Sequence, residues 1–246
     1  MQTISINFVV PQGWHELSDK QLRYAYSLIA SDFATDEVKT LCLLQWSGTK
    51  VIGQQESGSY LLKKGKILFE VTPLTLAELL PYLDWLGALP TVPVRISKIN
   101  RAHALPADFS EVPFETYIIV DNIYQGYLQT QSDDLLDELA NVLYGKPIKL
   151  TPYERINIFY RVASLKDFFA RRYPDFLQPV SAATGGNLLG SSVPSAEEAM
   201  NAQIRPLTKG DITKEKEILA LDTWRALIEL NAQAKEYKEI KSVKGG

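Results

Sequence analysis

Six times along this chain a serine or threonine stands just ahead of acids or glutamine and an apolar run of helical spacing. That combination satisfies the orphan amides at the start of a helix. Ser18 with Gln21, Thr35 with Asp36 and Glu37, Thr75 with Glu78, Ser132 with Asp133 and Asp134, Thr151 with Glu154, and Ser195 with Glu198 mark those starts. The spacing predicts a helix from about Asp19 to Ala30, with Leu22, Tyr26 and Ile29 on one face, and a second from Thr35 until Gly48. Thr75 opens a third that runs to Gly87 and tolerates Pro81 near its first turns. From Phe114 the residues Tyr117, Ile118, Tyr124, Tyr127 and Leu128 keep a helical rhythm, and the β-branched run Ile118-Ile119-Val120 leaves a strand open as the alternative. Leu135, Leu136, Leu139, Val142 and Leu143 point inward on the helix that Gly145 stops, and Ile156, Phe159, Tyr160 and Ala163 mark the helix after Thr151.

Strand signals are fewer. Ile4, Ile6, Phe8 and Val10 alternate with smaller or polar residues until Pro11-Gln12-Gly13 ends the pattern. Tyr60–Lys63 and Lys66–Phe69 flank Lys64-Gly65, a hairpin turn in which glycine supplies the positive φ. The expected fold class is therefore mainly α within α+β: a helical body with a small N-terminal β-sheet, a flexible linker and a long C-terminal helix.

The linker expectation comes from composition. Residues 178–195 carry no charge and few large side chains, too little to offset the entropy of ordering them. The reading divides the chain into a compact body over 1–173, a linker over 174–195 and a helical tail over 196–246. In that tail a short helix ends near Pro206, and a long one opens at Asp211 to Thr213 and runs to about Lys241. Ile218, Leu221, Trp224, Leu227 and Ile228 form a narrow apolar stripe along it amid lysines and glutamates. Such a stripe needs a partner surface, either this chain's own core or another chain. As a recognition element it makes these five residues the partner-binding set, with Trp224 the hot spot.

Chemistry is sparse. One cysteine and two histidines exclude a disulfide scaffold and leave little for a zinc site, and a net charge of −3 supplies no global basic field for nucleic acid or an anionic membrane. No Walker-type loop, paired Cys-x-x-Cys or His-Glu-x-x-His is present. His15 and His103 lack a partner motif, and Cys42 sits on an apolar face. Asp133 with Asp137 and Asp134 with Glu138 lie four apart, a spacing better explained by acids matched to a helix dipole than by a divalent-ion site. Gly186–Gly190 lacks the lysine and hydroxyl of a phosphate loop. No catalytic, cofactor-binding or metal-binding residue is expected. The first residues lack a positive leader and a long apolar run, so a cytoplasmic location is expected.

Charge is unevenly distributed. No lysine or arginine lies between Arg101 and Lys146, where acids accumulate, and a basic block from Lys146 to Arg172 follows. The two blocks either neutralise one another within the fold or dock a partner or a second copy.

Both ends carry a resemblance. Pro11 to Leu22 with Leu41-Cys42-Leu43-Leu44, and Leu207 to Lys216 with Trp224-Arg225-Ala226-Leu227 and Glu229 to Tyr237, resemble proteins encoded in prophage and tailed-phage gene clusters of gut anaerobes. The match covers about a third of the chain and carries no catalytic motif. It implies a virion-morphogenesis component, such as a tail-assembly chaperone, in the cytoplasm of a bacterial host or associated with the virion. Its implied partners are other protein chains, phage tail or tape-measure proteins among them, or self, without nucleic acid or membrane. The expected function is a non-enzymatic protein-binding or assembly factor. A minor virion structural subunit, or an enzyme with a site of scattered carboxylates and tyrosines, is the alternative.

Overall fold

A computed structural model describes residues 8, 10–31, 33–177 and 203–244. The chain is mainly α with a small antiparallel sheet, and it divides into two compact units. The first takes residues 1–90, 94–96 and 151–160, and the second takes 91–93, 97–150 and 161–246. The residues expected as a linker lie outside the described ones except for 174–177. The described part of the expected tail falls in the second unit together with 97–150.

In the first unit a 3-10 turn, Trp14–Glu16, leads into α1 (Asp19–Ile29), where Ser18 and Gln21 close the expected capping box. Helix α2 (Thr35–Trp46) starts one residue earlier than its cap signal suggests. Its N-cap is Ala34, and the Glu37 carboxylate accepts the Ala34 N–H at 2.8 Å in place of a hydroxyl cap. Three strands follow, β1 (Thr49–Gln54), β2 (Tyr60–Lys64) and β3 (Ile67–Val71), in the order β1-β2-β3 and antiparallel throughout. Lys64 pairs with Ile67, so the turn residues are Gly65 and Lys66, with Gly65 at φ +60° as a two-residue hairpin turn requires. The expected strand over Ile4 to Val10 rests on residues that, Phe8 and Val10 apart, lie outside the described ones.

Helix α3 (Pro73–Leu79) begins ahead of the expected Thr75 because Thr72 is the cap, its hydroxyl accepting the Thr75 N–H at 3.1 Å. The helix does not run to Gly87. Pro81 has no N–H to give an α-helical ladder, and Leu80–Gly87 winds as 3-10 instead. The unit's core is a cluster of rings. Trp14 stacks on Tyr26 at 5.3 Å and meets Trp85 edge-on at 5.4 Å, and Tyr160 closes on both Trp14 and Tyr26. The Trp14 indole N–H donates to the Trp85 and Ala88 carbonyls, both at 3.0 Å, so the ring is buried without leaving its polar atom unsatisfied.

The second unit starts with a two-residue hairpin, β4 (Lys98–Ile99) and β5 (Ala102–His103). Helix α4 (Phe114–Thr130) settles the open alternative at Ile118 to Val120 in favour of the helix. Helix α5 (Asp133–Tyr144) ends at Gly145, φ +70°, as its glycine stop predicts. Helix α6 (Pro152–Arg172) begins in the first unit and ends in this one. Residues 203–208 form α7 and carry Pro206 within it. Beyond a 3-10 turn, Ile212–Lys214, come α8 (Glu215–Leu219) and α9 (Thr223–Lys244).

The long helix expected from Asp211 is thus broken at residues 220–222, and the break has a visible cause. The Asp222 carboxylate caps α9 by accepting the Trp224 N–H at 3.0 Å and the Arg225 N–H at 3.2 Å, and it also accepts the Glu111 N–H at 2.8 Å. Beside it the Phe114 N–H donates to the Leu221 carbonyl at 2.8 Å, and the Thr223 N–H donates to the Val112 carbonyl at 2.9 Å. The chain leaves the helical path to make these bonds.

Candidate functional site

The structure redistributes the five residues read as a partner-binding stripe. The buried face of α9 is Thr223, Ala226, Leu227 and Leu230, the i, i+3, i+4, i+7 set, and only Leu227 belongs to the expected stripe. Trp224 flanks this face, half-buried, with its indole N–H donating to the Asp108 carbonyl at 2.8 Å. Its ring lies 5.8 and 5.9 Å from Phe168 and Phe169 and carries the Arg172 guanidinium 4.6 Å from its centre. Ile218 and Leu221 are half-buried, and Ile228 is 56% exposed. The sequence reading missed this rotation because Thr223 and Ala226 are not large apolar residues, yet small side chains let the helix approach its neighbours.

The second unit also holds a buried polar cluster. The Lys166 ammonium sits 2.6 Å from an Asp121 carboxylate oxygen and 3.4 Å from the Tyr117 hydroxyl. Burial works to lower the ammonium's pKa, and the Tyr117 hydroxyl and Asp121 carboxylate outweigh it and hold Lys166 above the ordinary lysine range. Burial pushes the Tyr117 phenol up to about 12, and Tyr124 likewise. Asp121 belongs to the acidic block and Lys166 to the basic one, so at this pair the two blocks neutralise one another within the chain. Each group here has its partners inside the fold, as an ion pair buried for architecture requires.

The other candidates stand apart. His15 is exposed beside Glu16, His103 is exposed on β5, and Cys42 is fully buried, its thiol pushed up to about 12 by burial. Asp133, Asp134 and Glu138 lie on the exposed side of α5, and Asp137 is half-buried. Gly186–Gly190 lies outside the described residues. Among the described residues no three His, Cys, Asp or Glu side chains gather where a metal ion would fit, and no helix is long and apolar enough to cross a membrane.

The sheet of the first unit also leaves apolar side chains exposed, on a surface where sequence reading expected no partner. Among the described residues strand β1 is an edge strand, with five of its six residues exposed, Val51 and Ile52 at 53% each. Among the described residues β3 is the other edge strand; it exposes Ile67 and Leu68, and its Phe69 ring lies 6.2 Å from that of Phe8. Beneath the sheet an apolar groove of about 380 Å³ is lined by Leu41, Leu44, Val51, Leu62, Leu76 and Leu80. The available signal was Thr49-Lys50-Val51-Ile52, three β-branched residues in four directly after Gly48. Compared with protein-family models, curated proteins and solved structures, the chain matches none.

Two outcomes follow from this geometry. Trp224→Ala should lower stability by about 2 kcal/mol, since the ring loses packing and a hydrogen bond while only half of it leaves a buried place. Urea unfolding monitored by circular dichroism would measure this. The second concerns pH. Tyr117, Tyr124 and Lys166 all have folded pKa values above their unfolded ones, so their contribution is complete below about pH 10, where the unfolded groups begin to titrate, and is lost as pH rises further. Urea midpoints taken across alkaline pH should fall from about pH 10 upward, and a midpoint that climbs there would contradict the assignment.

Proposed function

We propose that this chain is a non-enzymatic protein-binding or assembly factor, and that it binds through the sheet of its first unit. The observation that carries the reading is the exposure of Val51, Ile52, Ile67 and Leu68 on both edge strands of one small sheet. Edge strands in proteins that act alone are normally blunted with charge, proline, a bulge or a covering element; β1 carries Lys50 and a bulge at Ile52, and the reading rests on the apolar side chains left in solvent beside them. Virion morphogenesis is the setting we propose for it, and the support for that setting is the resemblance of the chain's two ends. Partners would then be proteins made from adjacent genes of a phage cluster.

The test is co-expression of the full chain with the products of its neighbouring genes, one at a time, beside an Ile52→Ser/Leu68→Ser variant. One neighbour should co-purify with the parent chain and at least about tenfold less with the variant, while the melting temperature moves by no more than a few degrees. Equal recovery of that neighbour with both chains would remove the sheet from the interface, and the absence of any bound neighbour would remove the assembly reading.

A further inference from the structure

Strand β1 offers more than exposed apolar area. Its register puts Lys50 directly opposite Lys63 and Val51 directly opposite Leu62. Because side chains alternate between faces, Val51 and Leu62 face the apolar groove, while Lys50 and Lys63 share the outer face with Leu68, which pairs with Lys63 on β3. Both lysines are exposed, and among the described residues neither ammonium has a carboxylate partner. Like charges directly opposite in an antiparallel pair destabilise the sheet. Lys66 in the adjoining turn adds a third positive charge. A register shift between Val51 and Gly53 marks a bulge at Ile52, and among the described residues β1 pairs with β2 alone.

We propose that β1 takes an extended segment of a partner protein as an added strand, one whose residues alternate between apolar and acidic. A strand laid along β1 sends alternate side chains to opposite faces. One set meets the groove at Val51, and the other meets Lys50 and Lys63, where carboxylates relieve the like-charge pair. The charge complementarity sets the partner's acids, and the groove sets its apolar positions. Nucleic acid fits this face less well, because Lys50, Ile52, Leu61, Lys63, Leu68 and Glu70 include no aromatic ring on which a base could stack. A flat anionic membrane also fits less well, because the strand's apolar residues are divided between two faces. This inference deepens the protein-binding reading and rests on it.

The probe is a fluorescein-labelled peptide of about eight residues alternating glutamate and valine, titrated against the full chain by fluorescence anisotropy. Saturable binding is expected, at least about tenfold tighter than for the corresponding lysine–valine peptide. A Lys50→Glu/Lys63→Glu chain should reverse that preference, which reports on charge pairing independently of any general loss of folding. No discrimination between the peptides, or an unchanged preference in the variant, overturns the proposal. So does binding of an oligothymidylate or of phosphatidylserine vesicles without binding of the peptide, which would assign the lysine face to another class of partner. If the peptide fails while the Ile52→Ser/Leu68→Ser chain still loses its neighbour, the added-strand assignment falls and the protein-binding reading stands. If no neighbour binds either, both fall.

Discussion

The Asp222 carboxylate holds two segments of chain at once. One oxygen accepts two amides at the start of α9, and the other accepts the Glu111 amide from the segment leading into α4. With the Phe114–Leu221 and Thr223–Val112 backbone bonds on either side, it joins positions more than a hundred residues apart in sequence. Where α9 begins, which face it buries and where Trp224 points all depend on this junction. Thr223 is fully buried because its hydroxyl donates to the Val112 carbonyl at 2.7 Å, and Ala226, Leu227 and Leu230 continue the same face. Trp224 adds a bond to the Asp108 carbonyl, so its ring is oriented by a polar contact as well as by packing. The C-terminal helix is thereby a working part of the second unit, and its aromatic anchor is occupied at home.

That junction also explains what the sequence could and could not disclose. The start of α1 was legible because Ser18 and Gln21 are three residues apart and the chemistry is fixed by the spacing. The same logic misplaced α3 by choosing Thr75 over Thr72, since both hydroxyls lie within one turn of a plausible start. The break at residues 220–222 was not legible. Its cause is pairing with residues 111–114, and a helical period continuing through Leu221 to Trp224 gives no sign of a distant backbone partner. The stripe on the last helix was misread for a related reason, since Thr223 and Ala226 become interior through close approach and not through hydrophobicity. Strand β1 went unseen because an exposed edge lacks the alternation of a half-buried strand.

Charges of opposite sign meet inside both units, as Lys166 and Asp121 do at 2.6 Å in the second and Arg23 and Glu154 at 3.0 Å in the first, and aromatic rings close around the end of α6. In the first, the ring cluster around Trp14 is closed, but the sheet remains open at β1, with like charges facing each other and apolar side chains in solvent. On the added-strand proposal, a bound strand would relieve the like-charge pair at Lys50 and Lys63. The groove beneath Val51 gives such a strand a place for its other face.

The central claim is that α9 is architecture while β1 is the open surface. Amide hydrogen exchange on the full chain reads both in one measurement, because it ranks segments by the free energy of the opening that exposes them. The amides of Ala226 to Leu230 should exchange at the rate of those in the middle of α4, through the same opening, while the amides of Lys50 to Gln54 exchange among the fastest in regular structure. Rapid exchange along α9 together with strong protection of every β1 amide would contradict the account.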